Sequence, residues 1–287
     1  MWLKEAESIR RSWLINVALF FVTVLTTTVA GALYANKEFT SWFSFFINGL
    51  VFSIPLMSIL LVHEMGHFLA GRRRHLDVTP PFFIPAIPPV GTFGAFIKIR
   101  SMIPDRQALI EVGAAGPVCG AIVAIPLLFV GMSLSEIHAG AETSGSGLSF
   151  GTSIIFELAS LIWFGKLSFQ TVIILHPIAI AAWFGLFVTA MNLLPMGQLD
   201  GGHVIYALFG PRVARYVSYG VFGSLIPLGI FTWPGWIMFA ALTLIIGLKH
   251  PPPVDTYSEP SPKGRALAWT AIALFVLTFV PTPITVF

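Results

Sequence analysis

The chain has 287 residues, of which 56% are hydrophobic and only 10% charged, whereas soluble domains average about 25% charged residues. With a mean hydropathy of +0.85, too few charged side chains exist to cover a wetted surface, so a water-soluble enzyme is excluded. The net charge of +3 does not indicate a nucleic-acid partner, because the basic residues sit at the ends of apolar runs, where Lys and Arg set membrane orientation.

In chain order, Lys4, Arg10 and Arg11 precede an apolar run at 13–35. It is too long for a signal-peptide core and reads as an uncleaved first span. A second run covers 43–70 and ends at Arg72-Arg73-Arg74. The proline-rich stretch 79–89 and Gly91-Thr92-Phe93-Gly94 then predict a re-entrant strand or hairpin over about 79–100. Cys119, the single cysteine, lies in the next run, 108–132, and excludes internal disulfides. Further runs cover 174–198, 213–231, 233–248 and 266–286, the middle pair divided at Thr232-Trp233-Pro234-Gly235. The stretch 150–165, with Glu157 inside and Lys166 after it, is short and reads as peripheral or re-entrant. Segments 133–149 and 249–265 are polar loops, the second an extended linker opening at His250-Pro251-Pro252-Pro253.

At about 20 apolar residues per crossing, these runs predict an all-α polytopic membrane protein, a bundle of about seven transmembrane helices. The expected organisation is one membrane-embedded domain, 1–287, with its core at 43–205 and flanking spans at 13–35, 213–248 and 266–286. Lys and Arg placement puts the N-terminus, the 72–107 segment, Arg212, Arg215, Lys249, Lys263 and Arg265 on the cytosolic side, while 133–149 contains neither residue type.

His63-Glu64-Met65-Gly66-His67 is the segment that carries chemistry. Four-residue spacing sets both imidazoles on one helical face, one turn apart, which suits two ligands of one zinc ion. Glu64, beside the first ligand, is placed to act as general base on water activated by that ion. The preceding run, 53–62, is almost wholly apolar. Each ionisable group at that depth costs about 2.5–3.5 kcal/mol on insertion scales, so three together point to a function. A catalytic zinc takes a further protein ligand. Asp200 is the candidate, at the Gly- and Pro-rich break Asn192-Leu193-Leu194-Pro195-Met196-Gly197-Gln198-Leu199-Asp200-Gly201-Gly202-His203. His203 is the rival. Asp200 can reach the histidines only if its span runs inward, which requires that 150–165 does not cross. His176 reads as a capping or interfacial residue, and His75, His138 and His250 as loop histidines.

His63-Glu64-xx-His67 together with Asn192…Asp200-Gly201 resembles the site-2 protease family of intramembrane zinc metalloproteases, in its branch without a PDZ domain. The resemblance implies Zn2+ held by His63, His67 and Asp200, and Glu64 as the catalytic base. It further implies substrate contacts by Asn192 and by Gly91, Thr92, Phe93 and Gly94, the strand expected to pair with extended substrate. Implied partners are single-span membrane proteins and membrane lipid, and the implied setting is a bacterial or archaeal cytoplasmic membrane with the site toward the cytosol. The chain departs from the family's usual Pro-x-Pro-x-Leu-Asp-Gly at Gly197, which replaces the second proline. Two other readings of intramembrane His and Asp groups are a metal-ion transporter and a non-catalytic membrane scaffold.

Overall fold

The computed structural model describes residues 2–35, 40–139, 148–167 and 171–286. Among the described residues are eight helices, α1 (Trp2–Tyr34), α2 (Trp42–Arg73), α3 (Arg106–Ser133), α4 (Ile154–Phe164), α5 (Pro177–Asn192), α6 (Asp200–Phe231), α7 (Gly235–Ile246) and α8 (Pro262–Thr278). Six short strands, β1 (Phe82–Pro85), β2 (Thr92–Phe96), β3 (Glu136–Ala139), β4 (Leu148–Phe150), β5 (Thr171–Ile174) and β6 (Ile284–Val286), pair as β1–β2, β3–β5 and β4–β6. Part of the predicted 133–149 loop, 140–147, lies outside the described residues.

Helices α1, α2, α3 and α6 are long and apolar enough to cross a membrane. Large apolar side chains such as Phe21, Ile54, Ile122 and Ile230 are more than 40% exposed on them, a surface that lipid can cover and water cannot. The polytopic helical fold expected from the sequence is the one observed. Helix α4, within 150–165, has 11 residues and extends about 16 Å at 1.5 Å per residue, too short by itself to cross.

Other boundaries differ for identifiable reasons. The predicted span 174–198 contracts to α5, 16 residues, because 171–174 pairs with β3 and the chain turns sharply after Asn192. The 266–286 run stays helical only to Thr278. Pro281 and Pro283 follow, and residues ahead of a proline are pushed out of the α region, which frees Ile284–Val286 to pair with β4. Helix α6 begins far ahead of the expected 213 and bends at Gly210, where φ is 80° and ψ is 177° ahead of Pro211.

Caps fix the elements around the centre. Ser41 accepts from the Ser44 N–H at 3.1 Å to start α2, and Asp105 accepts from the Ala108 N–H at 2.7 Å to start α3. Arg72 and Arg73 in the last turn of α2 complement the negative end of its dipole. His176 caps α5 by accepting from the Ile178 N–H, as its sequence context predicted. The main core joins Phe52, Leu56 and Ile59 of α2, Ala124 and Leu128 of α3, and Ala181 and Phe184 of α5. Helix α1 packs on α2 through Thr27 Oγ1 and Ser53 Oγ, 2.6 Å apart.

Candidate metal centre and substrate cleft

His63, Glu64 and His67 lie on α2, only 2%, 4% and 6% exposed. The helix surface at this point is met by α3. A Cβ on Gly116 would fall within 2.5 Å of three ring atoms of His67, and one on Gly120 would lie 3.2 Å from the His63 Cβ. Only hydrogen at Gly116 leaves room for the His67 imidazole, while Gly120 allows α3 a close approach to His63. The same close approach brings the Val112 carbonyl to 2.7 Å from His67 Nδ1. A carbonyl only accepts, so Nδ1 carries the proton and Nε2 presents its lone pair.

Asp200 reaches the pair from the other side. Helix α5 stops at Asn192, and 193–199 form a tight turn in which Leu199 N–H donates to the Met196 carbonyl at 3.1 Å. Gly197 sits at φ +53° and donates its N–H to Ser218 Oγ at 3.0 Å. Proline, locked near −65° and without an N–H, fits neither condition, which accounts for the departure from the family pattern. Gly201 packs directly on the Leu193 carbonyl, so the first turn of α6 tucks beneath the end of α5 and turns Asp200 inward. The carboxylate also occupies the positive end of the α6 dipole.

Asp200 Oδ2 is 3.2 Å from His67 Nε2 and 3.6 Å from His63 Nε2, and the two Nε2 atoms are 3.1 Å apart. Two donors bound at about 2.0–2.1 Å to one tetrahedral ion sit about 3.4 Å apart. The three side chains therefore fit a zinc ion, and among the described residues they are the one His/Cys/Asp/Glu group so arranged. His203 is turned elsewhere: its Nδ1 lies 2.5 Å from His250 Nε2. Asn192 Nδ2 is 3.3 Å from His63 Nε2, at the rim of the triangle.

The hairpin β1–β2 arrives beside α2, with the Ile97 N–H facing the Glu64 carboxylate. Its four sequence-flagged residues divide into two roles. Gly91 is packed against α1, its carbonyl accepting from Thr26 Oγ1 at 2.6 Å, and Thr92 is buried with its hydroxyl donated to the Ile84 carbonyl at 2.9 Å. Phe93 is 77% exposed and Gly94 has open space at its Cβ position. Among the described residues β2 has a single strand neighbour, β1; Gly94 itself is buried, and its N–H donates to Thr92 Oγ1 at 3.0 Å.

Three contributors were missed by sequence reasoning: the Val112 carbonyl, the α3 glycines and His250. The Gly113, Gly116 and Gly120 spacing was a readable signal, since small residues three or four apart mark close helix contacts in membranes. His250 is a loop residue, as expected, yet its ring is clamped between His203 and Tyr206; nothing in local sequence announces that contact.

The sequence profile of peptidase family M50 matches residues 51–231, a stretch that contains both signature elements. The probable chloroplastic zinc metalloprotease EGY1 of Oryza sativa subsp. japonica is 32% identical over 82% of this chain and 41% of its own length. EGY1 of Arabidopsis thaliana is 32% identical over 79% and 42%, and EGY2 of Oryza sativa subsp. indica 28% identical over 94% and 50%. The chain thus spans half or less of the length of these relatives. No solved structure matches. Over well more than half of its length the sequence carries the family's pattern, at positions the fold gathers into one buried cluster, and the chain belongs to peptidase family M50, the site-2 protease family.

Proposed function

We propose that this membrane protein is a zinc-dependent intramembrane endopeptidase that hydrolyses peptide bonds in the spans of other membrane proteins. The observation that carries this reading is the convergence of Asp200 from α6 on His63 and His67 of α2, with Glu64 beside them, inside an apolar helix. His63 Nε2, His67 Nε2 and an Asp200 oxygen would hold the ion. When bound, zinc supplies a Lewis acid that polarises a carbonyl and lowers the pKa of water toward about 7.

The remaining steps belong to the chain's own groups. The Glu64 carboxylate takes a proton from the attacking water as its oxygen adds to the scissile carbonyl carbon. It then delivers that proton to the departing nitrogen as the C–N bond breaks. Asn192 Nδ2 is placed to donate to the oxygen on which negative charge develops. The Val112 carbonyl holds His67 in the tautomer whose Nε2 can bind metal. A helical substrate hides its carbonyls in hydrogen bonds, so cleavage needs an unwound segment; β2, with one strand neighbour among the described residues and an exposed Phe93, supports pairing with such a strand. Lys and Arg placement supports a site near the cytosolic face; the proposed substrates are single-span membrane proteins, and because the site residues all fall within 43–205, that stretch is the proposed core of one catalytic unit, flanked by the other spans.

The test is Glu64→Gln. The zinc-loaded protein is incubated in detergent with single-span segments carrying Gly or Pro at graded depths, and products are read by mass spectrometry. Wild type should cleave, while the variant should keep its zinc and lose cleavage. Cleavage by the variant would remove Glu64 from the mechanism, and zinc flux into vesicles without any cleavage would favour a transporter instead.

A further inference from the structure

Beside the Asp200 turn lies a second cavity, of about 340 Å3, that contains none of the zinc-site residues. It is enclosed by the 195–202 turn, the part of α6 around the Gly210 bend and the 248–256 segment, and Tyr206, Arg215, Lys249 and His250 line it. No carboxylate is among its lining residues. Arg215 and Lys249 have no ion-pair partner among the described residues. The nearby acids are engaged: Asp255 accepts from the Tyr257 and Ser258 N–H groups, and Glu259 pairs with Arg265 at 3.6 Å. Tyr206 is 3% exposed, and its hydroxyl has no hydrogen-bond partner among the described residues.

The His250 wall adds no charge. Its Nδ1 donates to the Pro251 carbonyl at 2.6 Å, which leaves Nε2 as the acceptor for the His203 Nδ1–H. Burial holds the His250 imidazole below its ordinary range, so the ring is neutral near pH 7. Arg215 and Lys249 are solvent-exposed and line the same cavity with no carboxylate beside them, a positive patch that attracts anions. Arg215 stands at the start of the apolar run 213–231, just past the Gly210 bend of α6, and Lys249 three residues beyond α7; basic residues flanking apolar runs are where lipid phosphates are met.

We propose that this cavity binds a phosphate group, held between Arg215 and Lys249 with the Tyr206 hydroxyl donating to it. Its volume is at the small end of ligand sites, about 300–1,000 Å3, enough for a phosphate with a short substituent. The group comes either from an anionic phospholipid headgroup or from a free phosphate. Because Pro195, Gly197 and Gly202 also line the cavity, an occupant braces the turn that carries Asp200.

The full zinc-loaded chain is placed in phosphatidylcholine nanodiscs, and its unfolding temperature is followed as phosphatidylglycerol replaces part of the lipid or as inorganic phosphate is added at constant ionic strength. A ligand that binds only the folded state raises that temperature. The Arg215→Gln, Lys249→Gln double variant should keep its zinc and lose at least about tenfold in apparent affinity, since charge-assisted contacts carry the binding. Arg212→Gln, an exposed residue of the same helix outside the cavity, should respond as wild type. Stabilisation by phosphatidylglycerol alone assigns the lipid headgroup, and stabilisation by inorganic phosphate as well assigns a free phosphate. The proposal is overturned if neither ligand stabilises, if the double variant responds like wild type, or if Arg212→Gln loses as much.

Discussion

Gly116→Ala is the smallest change that reaches the metal centre from a residue that binds no metal. The added methyl would lie within 2.5 Å of Nε2, Cδ2 and Cε1 of His67. Nε2 would be only 2.0 Å from the methyl and ordinary contact begins near 3.4 Å, so the ring must retreat by about 1.4 Å, whereas zinc–ligand distances tolerate only about ±0.2 Å. It has nowhere to go on its own helix, because its Nδ1 is tied to the Val112 carbonyl one turn away on α3. Either that hydrogen bond breaks or α3 moves off α2, and overpacking of this kind costs about 1–3 kcal/mol. Loss of the Val112 carbonyl that holds His67 Nδ1 would alone lower metal affinity about 10–100-fold, and displacement of the ligand should bring the loss to 100-fold or more, about 2.7 kcal/mol. Competition between the apo protein and a chelating zinc indicator measures it. Gly220→Ala is the control, a helical glycine of α6 with nothing within 4 Å of its Cβ position, where alanine should be neutral or stabilising. Wild-type zinc affinity in Gly116→Ala would refute the packing argument.

Restoring the family's proline by Gly197→Pro should destabilise rather than improve the protein, by about 3 kcal/mol, since it opposes φ +53° and deletes the N–H donated to Ser218; thermal unfolding checks it. Asn192→Ala should retain zinc and lower kcat about 100-fold with little change in KM, as for loss of an oxyanion donor; a KM effect alone would reassign Asn192 to ground-state binding. The Asp255 carboxylate, which accepts from two backbone N–H groups, is held below the ordinary carboxylate range by them. Its contribution is therefore present above the unfolded pKa and lost as pH falls through the lower folded one. Hydrogen exchange at the Tyr257 and Ser258 amides should become faster, relative to the intrinsic rate, only in that acidic window.

The lipid-facing class of the molecule, the helix carrying His63, Glu64 and His67, and the hairpin before α3 could all be read from residue order, because hydropathy and i, i+4 spacing are local properties. The competition between Asp200 and His203 was not local. It turned on the tight turn after α5, on Gly201 meeting the Leu193 carbonyl, and on His250 drawing His203 away. Likewise, that Gly91, Thr92 and Gly94 are buried while Phe93 is exposed depends on how the hairpin packs on its neighbours, and the room for two imidazoles depends on glycines of α3. Asn192 and His63 are 129 residues apart in sequence yet 3.3 Å apart in space. Which side chains share a site across such a gap is set by the packing of whole helices, and only the tertiary structure decides it.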